Sequence, residues 1–106
     1  MSGYIMVLVT ASSKKEAEKI AGAVLKKRLA ACVNMIPGIM SLFHWKGKIE
    51  NAKEVLLLIK TRTQLFGKLE KTVRKNHSYS VPEVVAVPII KGSDKYLKWI
   101  KQETAV

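Results

Sequence analysis

The stretch Leu29-Ala-Ala-Cys-Val-Asn-Met-Ile36, Pro37-Gly38, Ile39-Met-Ser-Leu-Phe-His-Trp45, Lys46-Gly47-Lys48 and, in return, Glu54-Val-Leu-Leu-Leu-Ile-Lys-Thr61 decides the fold. It reads as one long, bent β-hairpin from Leu29 to Thr61. Gly47 sits between two apolar runs, where a short loop needs a residue that tolerates positive φ. Pro37-Gly38 inside the first arm predicts a bulge, because proline cannot donate to the ladder and glycine lets the strand bend. An arm that continues past its own bulge outruns a small sheet. Its outer half, Leu42 to Trp45, is therefore expected to be covered by another subunit, since exposed apolar patches of that size mark interfaces.

At 106 residues and 48% hydrophobic content, the chain reads as one domain over residues 1–106 with a modest core, a size often reinforced by oligomerisation. Nineteen Lys and Arg against eight Asp and Glu give a net charge of +11. Such a surface attracts polyanions. The lysines are spread over all the helices, however, and read as solvated charge. A single cysteine makes no intrachain disulfide, which fits a reducing cytoplasm. Tyr4 to Val9 is too short for a secretory or membrane-spanning segment, so the expectation is a soluble cytoplasmic protein with no membrane partner.

Ahead of the hairpin, Tyr4 to Thr10 is a continuous apolar, β-rich run that predicts a central strand buried on both faces. Ser13 with Glu16 forms a capping-box pattern. Ala17, Ile20, Ala21, Val24 and Leu25 then follow a helical stripe that should end near Arg28. After the hairpin, Thr63 is placed to cap a second helix with Leu65, Phe66, Leu69 and Val73 inside. Asn76 to Ser80 is a polar loop, and Val84 to Ile90 is a strand whose Pro88 predicts an edge position or a bulge. Ser93 or Asp94 caps a last helix carrying Tyr96, Leu97, Trp99 and Ile100. The order strand, helix, strand, strand, helix, strand, helix is that of an α+β, ferredoxin-like split β-α-β sandwich with an extra C-terminal helix.

The usual enzyme signatures are missing: there is no Gly-rich phosphate loop, no Gly-x-Ser-x-Gly elbow and no Cys-x-x-Cys pair. Cys32 is open to three readings, as nucleophile, soft metal ligand or small core side chain among Ala30, Ala31 and Val33. His44 beside Trp45 reads as a hydrogen-bonded interface histidine. His77, Tyr79 and Glu83 lie on one loop, where they suit a metal, an anion or acid/base work, or a structural helix-end histidine.

The strings Leu29-Ala-Ala-Cys-Val-Asn34, Pro37-Gly38-Ile39, Trp45-Lys-Gly-Lys-Ile-Glu50, Ile59-Lys60-Thr61, His77-x-Tyr79-x-Val81-Pro82-Glu83 and Tyr96-Leu-x-Trp99 together resemble the CutA family of divalent-cation-tolerance proteins. The likeness runs from the first strand to the last helix. It implies a homotrimer with interlocked hairpins, a cytoplasmic setting, a link to copper and other divalent ions, and a cleft between subunits. The family's recurrent positions fall on Cys32, Trp45, Lys60, His77, Tyr79, Pro82 and Glu83. Ser78 and Ser80 depart from it, standing where the family commonly has proline and an acid. Losing a carboxylate at Ser80 removes a hard ligand and favours an anion beside Lys60.

The sequence thus predicts a non-enzymatic, trimeric ion-tolerance protein with no obligatory cofactor. Its cleft is expected to gather Trp45, Lys60, His77, Tyr79 and Glu83, and to take copper, another divalent metal through Cys32 and His77, or a small anionic ligand. Two rivals stand beside it. A sequence-nonspecific nucleic-acid binder is suggested by charge alone, without the aromatics a base-stacking platform needs. A small-molecule enzyme would use His77, Tyr79 and Glu83.

Overall fold

The computed structural model describes residues 3–105. Its elements run β1 (Tyr4–Ala11), α1 (Lys14–Lys26), β2 (Cys32–Trp45), β3 (Lys48–Arg62), α2 (Phe66–Lys75), β4 (Val84–Pro88) and α3 (Asp94–Glu103). The strands form an antiparallel sheet in the order β2-β3-β1-β4. This is the α+β, ferredoxin-like arrangement that the element order predicted.

Alternation along the strands decides where the core lies. Ile5, Val7, Val9 and Ala11 of β1 and Val55, Leu57 and Ile59 of β3 point to one face. There they meet Ala17, Ile20, Ala21 and Val24 of α1 and Leu69 and Val73 of α2 in a single apolar cluster. β1 is central, between β3 and β4, but the expectation that both its faces are buried needs correction. Met6 and Leu8, on the second face, remain half-exposed in the single chain. Arg62, at the end of that face, is buried instead by the chain's C-terminal end: its Nε donates to Thr104 Oγ1 at 2.8 Å, and its guanidinium also reaches the Ala105 carbonyl.

The hairpin turns through Lys46 and Gly47, with φ of 50° and 79°, between the paired residues Trp45 and Lys48. Two successive positive φ values make a type I′ turn, whose twist matches the strands it joins. The bulge falls at Pro37-Gly38: Ile36 pairs with Leu56 and Ile39 with Glu54, so two residues oppose Val55. Gly38 takes φ 74°, as a bulge glycine does. Leu29 and Ala30, expected in the strand, precede it and are buried in the core. β1 pairs with β3 only as far as Ala11 opposite Val55, so beyond the bulge the hairpin runs on as a two-stranded arm. The arm exposes Met40, Leu42 and Ile49 by 60–72%, and Phe43 and Trp45 by 41–43%.

The helix ends differ in detail from the expectation. Ser13 caps α1 by accepting from the Glu16 amide at 3.1 Å, but the carboxylate of Glu16 does not return to it. That carboxylate accepts from the Ser12 amide and hydroxyl and from the Ser78 amide, at 2.8–3.0 Å. α1 stops at Lys26, and the chain reverses through Arg28 at φ 56°. α2 is entered through a 3-10 turn over Thr63–Leu65, which moves the cap position to Leu65. β4 ends at Pro88 rather than Ile90 and is an edge strand, paired with β1 alone. Ser93 caps α3 through the Tyr96 amide.

Candidate functional site

Where the arm leaves the sheet, its inner side and the loop after α2 enclose an open groove of about 870 Å³. Phe43, His44 and Trp45 line it from β2, Glu50 and Glu54 from β3, and Tyr79 and Glu83 from the loop. Glu54 is 6% exposed, and its Oε2 accepts a 2.8 Å hydrogen bond from the Tyr79 phenol. Burial, then that bond and the negative charges of Glu54 and Glu16, push the Tyr79 phenol up to about 12. Tyr79 is therefore a fixed donor that holds the Glu54 carboxylate at the groove's base. Three glutamates face this groove, and no described Lys or Arg lines it, in a chain of net charge +11. Its electrostatics favour a cation.

His77 stands behind Tyr79, the rings 4.6 Å apart. Its imidazole is buried. Nε2 lies 2.7 Å from the Thr10 carbonyl, so it carries the proton and donates, while Nδ1 accepts from the Tyr79 amide at 3.1 Å. Both nitrogens are thereby engaged with backbone, and the ring pins the loop to β1. Glu16 completes the arrangement from α1, its Oε1 lying 3.7 Å from Nδ1. Despite the cost of burial, which opposes ionisation, the Ser12 and Ser78 donors hold its carboxyl down at about 2.

At the far end of the sheet Cys32 pairs with Lys60 across β2 and β3. The thiol donates to Asn34 Oδ1 at 3.8 Å, and the Lys60 ammonium donates to the same oxygen. Burial, followed by the neighbouring Cys32, raises the Tyr96 phenol, which brings α3 to this cluster. An ammonium beside the thiol disfavours a bound metal cation there.

The structure thus brings Trp45, Tyr79 and Glu83 to one groove and places His77 directly behind it. Within one chain, Lys60 is not with them. It lies twelve residues along β3 from the partner of Trp45, about 40 Å at the rise of a strand. Nor do Cys32 and His77 meet. His77 bonds to Thr10, which pairs with Leu56, whereas Cys32 pairs with Lys60, about 13 Å further along. No group of three or more His, Cys, Asp or Glu side chains is gathered in metal-holding geometry among the described residues of one chain. Glu50, Glu54 and Glu16 were missed by sequence reasoning. The first two are scattered through a strand pattern that signals pairing, and the third was read as a helix cap.

A family model described as CutA1 divalent ion tolerance protein matches residues 5–103. The chain is 48% identical over 100 residues to "Protein CutA, chloroplastic" of Arabidopsis thaliana, covering 94% of this chain and 55% of that protein, so it spans about half the plant relative's length. The solved divalent cation tolerance protein (Cut A1) from Thermus thermophilus superposes with a TM-score of 0.94 at 44% identity, over 96% of this chain and 99% of that one. The periplasmic divalent cation tolerance protein CutA from Archaeoglobus fulgidus gives 0.92 at 43% identity, over 94% and 97%. A match running from β1 to the last residue of α3, over a shared fold and at these identities, has one reading: the chain belongs to the CutA1 divalent ion tolerance protein family.

Proposed function

We propose that this chain is a non-enzymatic divalent-cation-tolerance protein that takes a divalent cation in the acidic groove, closed by neighbouring chains of a homotrimer. The observation that carries the reading is the groove's charge: Glu50, Glu54 and Glu83 beside His44, without a lining Lys or Arg, on an otherwise basic protein. Carboxylate and imidazole donors suit copper(II) or zinc. Because one described chain gathers no three-donor set, such an ion needs donors from a neighbouring subunit or from water. The arm supports a trimer in the same way, since exposed Leu42 and Ile49 leave the hairpin unfinished on its own. Within one chain the groove lacks the cation an anionic ligand would need, because Lys60 is at the other end of the sheet. An enzyme acting through His77 lacks a free ring nitrogen. The names of the relatives include chloroplastic and periplasmic forms. For this chain a cytoplasmic setting fits its unpaired Cys32, and no helix among the described residues is long and apolar enough to cross a membrane.

Calorimetric titration of copper(II) and zinc tests the reading. Binding should weaken on the order of tenfold or more in Glu83→Gln and His44→Ala, through loss of a donor, and stay unchanged in Cys32→Ser. Affinity lost in Cys32→Ser but kept in the groove variants would overturn it.

A further inference from the structure

The cations that the sequence spreads along its helices are gathered by the fold onto one layer. α1 and α2 pack against each other on the same face of the sheet, and their buried residues share one cluster. On α1, Lys15, Lys19 and Lys26 recur on the side opposite Ala17, Ile20, Ala21 and Val24, and all three are exposed. On α2, Lys71 and Arg74 lie opposite Leu69, Thr72 and Val73. Residues 14–27 and 66–75 together carry nine Lys and Arg against three Glu, a surplus of six. Two of the three carboxylates are already engaged: Glu16 with the amides of Ser12 and Ser78, and Glu70 with Arg74 at 2.5 Å.

This layer is also concave at one place. Lys15 and Lys19 from α1 and Lys75 from α2 line a groove of about 520 Å³, together with Ser12, Ser13, Asn76, Ser78 and the Glu16 carboxylate, which Ser12 and Ser78 already hold. Its volume is in the range of small-ligand sites. The three ammoniums are the donors it offers a ligand, since the Ser12, Ser78 and Asn76 donors are already engaged, and it has no aromatic ring other than the buried His77 imidazole. Apart from Leu25, the exposed apolar side chains that bear on assembly lie on the arm and on the second face of the sheet, such as Leu42, Ile49, Val85 and Val87. Assembly through those surfaces leaves the helix layer in water.

We propose that the outward layer of α1 and α2, centred on the Lys15, Lys19 and Lys75 groove, binds a linear chain of phosphates without bases, an inorganic polyphosphate. The phosphates fit the donors present. Bases find no ring to stack on, the convex rod of a duplex does not enter a groove of this size, and the two helices expose a single large apolar side chain, Leu25, too little to anchor a bilayer. Several groove copies in an assembly would bind one long chain at once and raise avidity. The inference is independent of the cation groove, which opens on the opposite end of the loop.

The test is fluorescence anisotropy of labelled polyphosphate with the full chain, at about 150 mM salt, where weak nonspecific polyanion contacts are largely screened. Lys15→Gln, Lys19→Gln and Lys75→Gln combined should weaken binding on the order of tenfold and lower the salt slope by about 2, three contacts at the single-strand value. All three are exposed, and circular dichroism verifies that the variant folds. Lys95→Gln, Lys98→Gln and Lys101→Gln on α3 remove equal charge elsewhere and should change binding less than about twofold. Equal losses in both triple variants would reduce the effect to net charge and overturn the site. So would no binding of polyphosphate, or binding of duplex DNA or phosphatidylserine vesicles as tight and as sensitive to the groove variant.

Discussion

Glu16→Gln removes a charge that joins α1 to the loop carrying His77 and Tyr79, and its effect has a defined pH signature. The carboxyl lies at about 2 against an ordinary 4.5, with donors from Ser12 and Ser78 outweighing the cost of burial. A folded-state value below the unfolded one gives stability that is present above about 4.5 and is lost as pH falls toward 2. The full shift corresponds to about 3 kcal/mol. The glutamine keeps the size and one acceptor oxygen, so the expected loss at neutral pH is about 2 kcal/mol per chain. Urea unfolding of both proteins, at one protein concentration and across the acid range, reads the difference between them. Other carboxylates titrate in both and cancel. The gap should be widest near neutral pH and close as pH approaches 2. A gap that does not change with pH, or a variant as stable as wild type at neutral pH, would refute the assignment.

Tyr79 should ionise near 12, above an ordinary phenol at 10, and its phenolate absorbance in Glu54→Gln should appear at lower pH. Its raised value means that the associated stability is present below about 10 and is lost as pH rises toward 12. Gly47→Val places a branched side chain at φ 79° in the type I′ turn. It should cost about 1–2 kcal/mol in thermal unfolding, and an unchanged midpoint would contradict the turn.

Much of the fold was legible because it depends on local chemistry. Gly47 between apolar runs, Pro37-Gly38 within an arm, Ser93 before α3 and Pro88 in an edge strand each carry a constraint that holds wherever the residue stands. The errors arose where a distant partner decides. Ser13 and Glu16 have capping-box spacing, yet Ser78, 62 residues away, draws the carboxylate off. Tyr4 to Thr10 is apolar throughout, but apolarity does not report which face a helix will cover. The site divides in the same way. Trp45, Tyr79 and Glu83 share a groove because the loop after α2 passes the root of the arm. Lys60 follows the same hairpin and ends far away, because a straight strand separates residues by about 3.4 Å each. Glu50 and Glu54 carry the groove's charge from within a strand pattern, where a glutamate has no motif to mark it.

Native mass spectrometry of the full chain, sprayed with and without copper(II) or zinc, tests the central claim most directly, since assembly and cation binding are read in one spectrum. The account predicts a trimer whose mass rises on metal addition by a defined number of ions, with Glu83→Gln giving the trimer without them. A monomer at micromolar concentration, or a trimer that retains the same number of ions in Glu83→Gln as in wild type, would contradict it.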